Sequence, residues 1–530
     1  MQDPTLAEAH RFSFQLRREL DLWLEHSSCV DGPQRNQGGE DEANYALAWF
    51  PHYLLTGNPM VLTHFQSLLA DLSGWVQSDE CFHGYERKAE VHHGTEPFLL
   101  FLPRYLGLAP DDEMAWKLLE DVAHHVGNWV ADVPEWYDFE RDVFRSYLIG
   151  AVRVSDDPAY AYELAEHFRF LHISLAAFRV TGDERYRDWA LRYGRQRAER
   201  ISLTFADGVM PLMWDLAGSP VHWPDVQTKE QRVMAATIHK VEGDTLGGHE
   251  NLLASGALMA LADLHELSEG EGIFQEAAHL IAEPLVSQLN DPFADPAATA
   301  ITHYRARFDD DSFDRDIAQV LAGAPAESDT EWAMILPQSR SRREPGVGKR
   351  MDMVYWGEWE ENGSTRPLRE PSTAALALGY QVTGDVDLAC RALRGAVTKL
   401  AMARVVLRGG REHSDMGGAI CSVAAGHGRN WGTGAVTGCY GPLHLGTLDC
   451  FGEVRGVVRF LSDGREALPE GALSLVRPAV GDSPGELLLH NGRRKQLSFS
   501  CRREDWRQGE ELGEWQTVTI QPDTTTILEL

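Results

Sequence analysis

Carboxylates open several apolar stretches of this chain, and the sharpest local cluster is GGHEN, from Gly247 to Asn251. Two glycines allow a backbone to come close to a ligand, and His249, Glu250 and Asn251 then present three polar side chains in succession. Glu250 is of the type that serves as a general acid or base, with His249 and Asn251 as binding groups. The stretch HHGTE has the same grammar, with His92 and His93 ahead of Glu96, and Asp41 and Glu42 stand at the start of EDEANYALAWF. Two such carboxylates facing each other across a glycosidic bond would protonate the leaving oxygen and activate water or attack the sugar. Against this stands a structural reading, because an acidic group in a first helical turn complements the helix dipole by about 0.3 to 1 kcal/mol.

A second group surrounds WYDFERDVFR. Asp142 is a further catalytic candidate there, and Arg141 and Arg145 lie among Trp136, Tyr137, Phe139 and Phe144. Arginine beside aromatic rings suits a sugar carboxylate, through paired hydrogen bonds and stacking; a surface ion-pair network is the alternative. Arg366, Arg369 and Glu370 precede another apolar stretch, and Trp431 follows Arg429 and Asn430. His413, Asp415 and Tyr440 offer the base that proton abstraction beside a uronic acid carboxyl requires. No H-E-x-x-H spacing, Walker motif, G-x-G-x-x-G after a strand or G-x-S-x-G elbow occurs, so neither a metal nor a cofactor is expected.

The elements that must position these residues repeat. EDEANYALAWFPHYLLTGNP, TEPFLLFLPRYLGLAPD, AEHFRFLHISLAAFRVTGDE, GHENLLASGALMALADLHELSEGEG and REPSTAALALGYQVTGDV each give a polar opening, an apolar run at helical spacing, a turn and an amphipathic return. Leading helices that are apolar nearly all round must be buried on several sides, while the returns need cover on one face only. Thr95 is expected to cap the hairpin that runs from it to about Asp132, with Pro97 near the first helical position, and the stretch from Trp136 to open a further, less regular member. Residues 205–245 and 292–365 lack the period and read as long loops. The first helix, from about residue 5, is available to pair with the last. From about residue 453 the period changes to short alternating runs, LSLVRP, ELLLH, QLSFS and WQTVTI, with a hairpin signal at His490-Asn491-Gly492. Residues 1–450 therefore read as a helical catalytic domain and 451–530 as a small β-domain.

Composition narrows the partners. The 49 Lys plus Arg against 80 Asp plus Glu give a formal charge of −31 over 530 residues, which opposes attraction to nucleic acid and anionic membranes. The seven cysteines lack C-x-x-C spacing and read as reduced core thiols. The N-terminus has no apolar leader segment and no stretch reaches the length of a membrane span, so a cytoplasmic location is expected. A homo-oligomer is compatible with all of this.

With its repeated hairpins and β-rich end, the chain resembles the (α/α)6-toroid carbohydrate-active enzymes, a group of glycoside hydrolases, uronyl hydrolases and polysaccharide lyases. The resemblance implies a mainly α fold, an (α/α)6 toroid with a sandwich-like C-terminal β module, and a cleft where the leading helices begin. It implies an exo-acting glycoside hydrolase on short oligosaccharides, with uronic-acid-containing substrates suggested also by the arginines and histidines above, as for a β-glucuronidase or unsaturated-uronyl hydrolase. A lyase, a sugar epimerase and a non-catalytic glycan-binding toroid remain open alternatives.

Overall fold

A computed structural model of the chain describes residues 3–30, 40–87, 95–205, 210–222, 228–232, 252–253, 255–292, 294–327, 332–335, 355–359, 365–367, 369–407, 434–448 and 452–530. It is mainly α, with a small antiparallel sheet region at the C-terminus. Seven leading helices are present among the described residues: Glu40–Thr56, Pro97–Phe101 running on into Leu102–Leu108, Phe168–Thr181, Ala257–Leu267, Asp295–Phe308, Thr373–Thr383 and Thr437–Leu445. Each packs against the next, and Thr437–Leu445 packs against Glu40–Thr56. Their burial follows their sequence. Every residue from Thr373 to Gln381 is buried, as is every residue from Ala257 to Leu264, and each large apolar side chain so covered contributes about 1.5 to 3 kcal/mol.

The return helices are Pro59–Val76, Glu113–His124, Glu184–Thr204, Gly272–Ala282, Asp314–Leu321 and Val386–Leu407. Pro4–Val30 packs along Val386–Leu407, the last return helix described, rather than along the last helix described, Thr437–Leu445. The turns repeat in atomic detail. Gly182 and Gly384 stop their helices at φ +70° and +73°, the left-handed conformation that glycine adopts without steric cost. The preceding Thr181 and Thr383 hydroxyls donate to the carbonyls of Ala177 (2.8 Å) and Gly379 (2.7 Å), and accept from the N–H of Asp183 and Asp385. Those aspartates then cap the return helices by accepting from Arg185 and Asp387 N–H. Thr56-Gly57-Asn58 does the same with Asn58 as the cap.

Two expectations change. The stretch after Trp136 is a hairpin of two short strands, Tyr137–Asp138 and Val143–Phe144. Its turn chemistry overrides the aromatic spacing, since Asp138 accepts from Glu140 N–H at 2.9 Å and Asp142 adopts φ +55°. Conversely, the supposed loop after residue 292 contains a full helical pair, Asp295–Phe308 and Asp314–Leu321. Pro296 at its first turn is a helix-start signal that the weak periodicity around it concealed.

The C-terminal strands form two antiparallel sheets. Leu497–Trp506 pairs with Val454–Leu461, Glu510–Glu511 and Gln516–Ile520; Glu486–Asn491 lies between Ala472–Arg477 and Thr525–Glu529. Their inward residues, including Val457, Leu475, Leu487 and Ile520, belong to the same apolar core as the helices.

These C-terminal residues meet the C-terminal end of each leading helix in turn. Leu468 N–H donates to Leu55 carbonyl (2.8 Å), Arg507 to Leu106 carbonyl (3.1 Å) and Arg477 to the carbonyls of Gln381 and Val382. Glu453 pairs with Arg179 (2.8 Å), Arg455 with Glu266 (2.5 Å), and Gly481 N–H reaches Asp309 (2.9 Å). His444 and Ser474 exchange two hydrogen bonds. Carbonyls left without a partner at a helix C-terminus are met by donors from outside the helix, as the dipole favours.

Candidate functional site

With one end of the leading helices covered, their starts define the other. Neighbouring starts are joined directly. Arg169, in the first turn of Phe168–Thr181, donates to Glu96 (2.6 Å) and to the Thr95 hydroxyl (3.0 Å) ahead of Pro97–Phe101. His172 contacts the carbonyls of Ser255 and Gly256 just before Ala257–Leu267. Asp295 accepts from Ala374 N–H (2.9 Å) and the Thr373 hydroxyl (3.1 Å), and that hydroxyl also donates to Ala435 carbonyl. The leading helices therefore run parallel, with their first turns side by side.

The residues singled out in the sequence fall into three groups. Glu96 and Glu370 are at helix starts, buried and bound to arginine. Glu370 accepts from Arg391 (2.7 Å) and Arg394 (3.1 Å) of the return helix Val386–Leu407, so it ties a leading helix to its partner. Thr95 does not cap its helix through its hydroxyl, which is taken by Arg169; the opening turn is π-helical, Pro97–Phe101. Such turns recur at functional sites. Arg369 is exposed, and its backbone N–H donates to Glu327.

A second group is placed elsewhere. Asp142 sits in the hairpin turn, where it binds Arg192 and accepts from Tyr137. Arg141 is exposed, and Arg145 pairs with exposed Glu135. Tyr440 is fully buried. Its hydroxyl lies 3.0 Å from His52 Nδ1, and His52 Nε2 lies 2.9 Å from Asp21. The carboxylate can only accept, so His52 carries its proton on Nε2 and takes the Tyr440 proton bond on Nδ1. Burial pushes the Asp21 carboxyl up, but His52, Asn58 and Arg17 outweigh it and hold it below the usual range. Asp21 borders a cleft of about 780 Å³, with Arg17, Arg18 and Thr56 on the helical side and Arg465 and Glu470 on the C-terminal side. This chain thus opens at the covered end, away from the helix starts.

The third group lies outside the described residues: His92, His93, His249, Glu250, Asn251, His413, Asp415 and Trp431. For Asp41, Glu42 and Arg366 the backbone is described, in the helix Glu40–Thr56 and the strand Thr365–Pro367.

Sequence reasoning missed Arg169 and Asp295. Arg169 is a lone charge in the first turn of an apolar helix, which signals a buried partner. Burial pushes the Asp295 carboxyl above the usual range, outweighing Lys399 and the donors from Ala374, Thr373 and Ser372.

Comparison with protein-family models, curated proteins and solved structures returns no match.

Proposed function

We propose that the chain is a toroidal carbohydrate-active enzyme, an exo-acting glycoside hydrolase on short oligosaccharides that contain uronic acid. One observation carries the reading: C-terminal residues meet the end of all seven described leading helices, which supports entry of a substrate from the helix starts. The cyclic succession of contacts among the seven leading helices of the described residues supports a closed ring. Glu96, Asp295 and Glu370 supply carboxyl groups at that end, and Arg169, Arg391 and Arg394 supply guanidinium groups suited to a uronide. Glu250 and His249, which lie outside the described residues and precede Leu252 in sequence, are assigned the acid–base and binding roles.

The test follows two signals on a panel of uronide oligosaccharides, reducing sugar and ultraviolet absorbance of a carbon–carbon double bond. Hydrolysis of a saturated uronide releases sugar without absorbance, and an unsaturated-uronyl hydrolase consumes absorbance. New absorbance would replace the hydrolase reading by a lyase. No change in either signal across the panel would overturn the enzyme reading and favour a glycan-binding toroid.

A further inference from the structure

On the outer wall, the hairpin of Cys81–Phe82 and Tyr85–Glu86 meets the end of the return helix Glu113–His124. His83 forms the hairpin turn at φ +53°, His125 caps the helix, and Asp132 lies on the exposed loop that follows. One donor atom from each lies within 4.8 Å of the other two.

The hydrogen bonds around them fix which atoms face inward. His125 Nδ1 is 2.6 Å from the Asp121 carbonyl, so it carries the proton, and Nε2 keeps a lone pair. That Nε2 is buried with no hydrogen-bond partner among the described residues. His83 Nδ1 is 3.0 Å from the Asp121 carboxylate, and its Nε2 is 2.9 Å from Asp132. A histidine that gives one ring N–H to a carboxylate or carbonyl and turns the other nitrogen to a common point is the arrangement of metal-bound imidazole. A doubly protonated His83 between two aspartates would account for its own contacts. It would leave the buried His125 Nε2, beside it, without a partner, at a cost of about 1 to 3 kcal/mol.

We infer that His83, His125 and Asp132 bind a divalent transition metal of the zinc type. Zinc takes imidazole nitrogen and carboxylate oxygen at about 2.0 to 2.2 Å in tetrahedral geometry, which sets the ligand atoms about 3.3 Å apart. His83 Nε2 and Asp132 already meet that spacing to within a few tenths of an ångström, and Asp132, on an exposed loop, is free to follow the ion. Asp121 holds both imidazoles through two different oxygens. Tyr85 and Trp136 pack their rings around His125 and limit access of water from the protein side. Three protein ligands leave a fourth position for water. The ion ties the hairpin to the return helix, so its binding free energy adds to the stability of this part of the wall.

The experiment uses the full chain after chelator treatment, titrated calorimetrically with zinc chloride and, separately, with cobalt(II) while visible absorption is recorded. The expected result is one tight zinc equivalent, and cobalt bands of the intensity typical of four-coordinate sites. His125→Gln and His83→Asn remove that equivalent; asparagine tolerates the left-handed backbone at position 83. Asp121→Asn weakens binding by about 10- to 100-fold. Asp132→Asn, at an exposed position that leaves folding intact, also weakens it at least about tenfold. Absence of a tight equivalent in the unmodified protein, or an equivalent that survives unchanged in Asp132→Asn, would overturn the site.

Discussion

Glu96 and Arg169 form an ion pair at 2.6 Å in which both side chains are buried, 6% and 4% exposed, and which joins the starts of two leading helices. Breaking such a pair from one side leaves a charge in low dielectric without its counterion and costs about 3 to 5 kcal/mol. Arg169→Met is therefore expected to lower the urea midpoint strongly. Adding Glu96→Gln to it should recover part of the loss, because the carboxylate deprived of the Arg169 guanidinium is removed. Strictly additive losses in the double variant would mean that the two groups do not act as a pair.

Gly438 shows how closely the leading helices approach. A Cβ there would stand 2.6 Å from the Ala374 Cβ and 2.7 Å from Thr299 Oγ1, so three helices converge on one hydrogen atom. Gly438→Ala is expected to destabilise the chain by about 1 to 3 kcal/mol. Gly438→Ala combined with Ala374→Gly should regain part of that in thermal unfolding, since one of the two clashes is relieved.

Four buried histidines give the chain an acid limit. Burial depresses His167 and His172 to about 4 and His303 and His444 to about 3, with Arg307 adding to the effect at His303. Unfolding returns each to about 6.5, so between that value and the folded one the unfolded chain binds more protons. Stability is then complete above the unfolded pKa and is lost as pH falls, by roughly 1.4 kcal/mol per pH unit for each histidine. His303, whose Nε2 has no partner among the described residues, is the cleanest probe. His303→Phe should flatten the dependence of unfolding free energy on pH between 6 and 4 by about one proton; an unchanged slope would remove His303 from this account.

The repeated turn was legible because its chemistry is local. Thr181-Gly182-Asp183 and Thr383-Gly384-Asp385 each hold their own threonine bond, left-handed glycine and aspartate cap within a few residues. Partnership between distant residues was not legible. Nothing near Glu370 announces that Arg391 and Arg394 approach it from the return helix, and nothing near Tyr440 announces His52, 388 positions earlier in the chain. The helix Asp295–Phe308 escaped because alanine, threonine and a buried arginine blur an apolar stripe, although Pro296 marked its start. The acidic helix starts could be read, but their role could not, since the same carboxylate serves a dipole, an ion pair or a reaction according to what faces it.

The two ends of the helical assembly should respond differently to equivalent changes. If chemistry lies at the helix starts as proposed, Glu250→Gln removes the group assigned to proton transfer and should lower kcat on the cleaved uronide by about 10²- to 10⁴-fold, with KM little changed. At the covered end, Asp21→Asn removes the charged acceptor of the His52 Nε2 proton beside the cleft of about 780 Å³. It should cost at most about 1.5 to 3 kcal/mol in stability, the range for a hydrogen bond to a charged group, less here because Asp21 is half exposed, and leave kcat as it was. Both variants are compared at a temperature well below the lower unfolding midpoint, so that loss of fold does not imitate loss of chemistry. If Asp21→Asn abolishes turnover while Glu250→Gln does not, the chemistry belongs to the Tyr440, His52 and Asp21 chain and the cleft it borders, and the helix starts are scaffold.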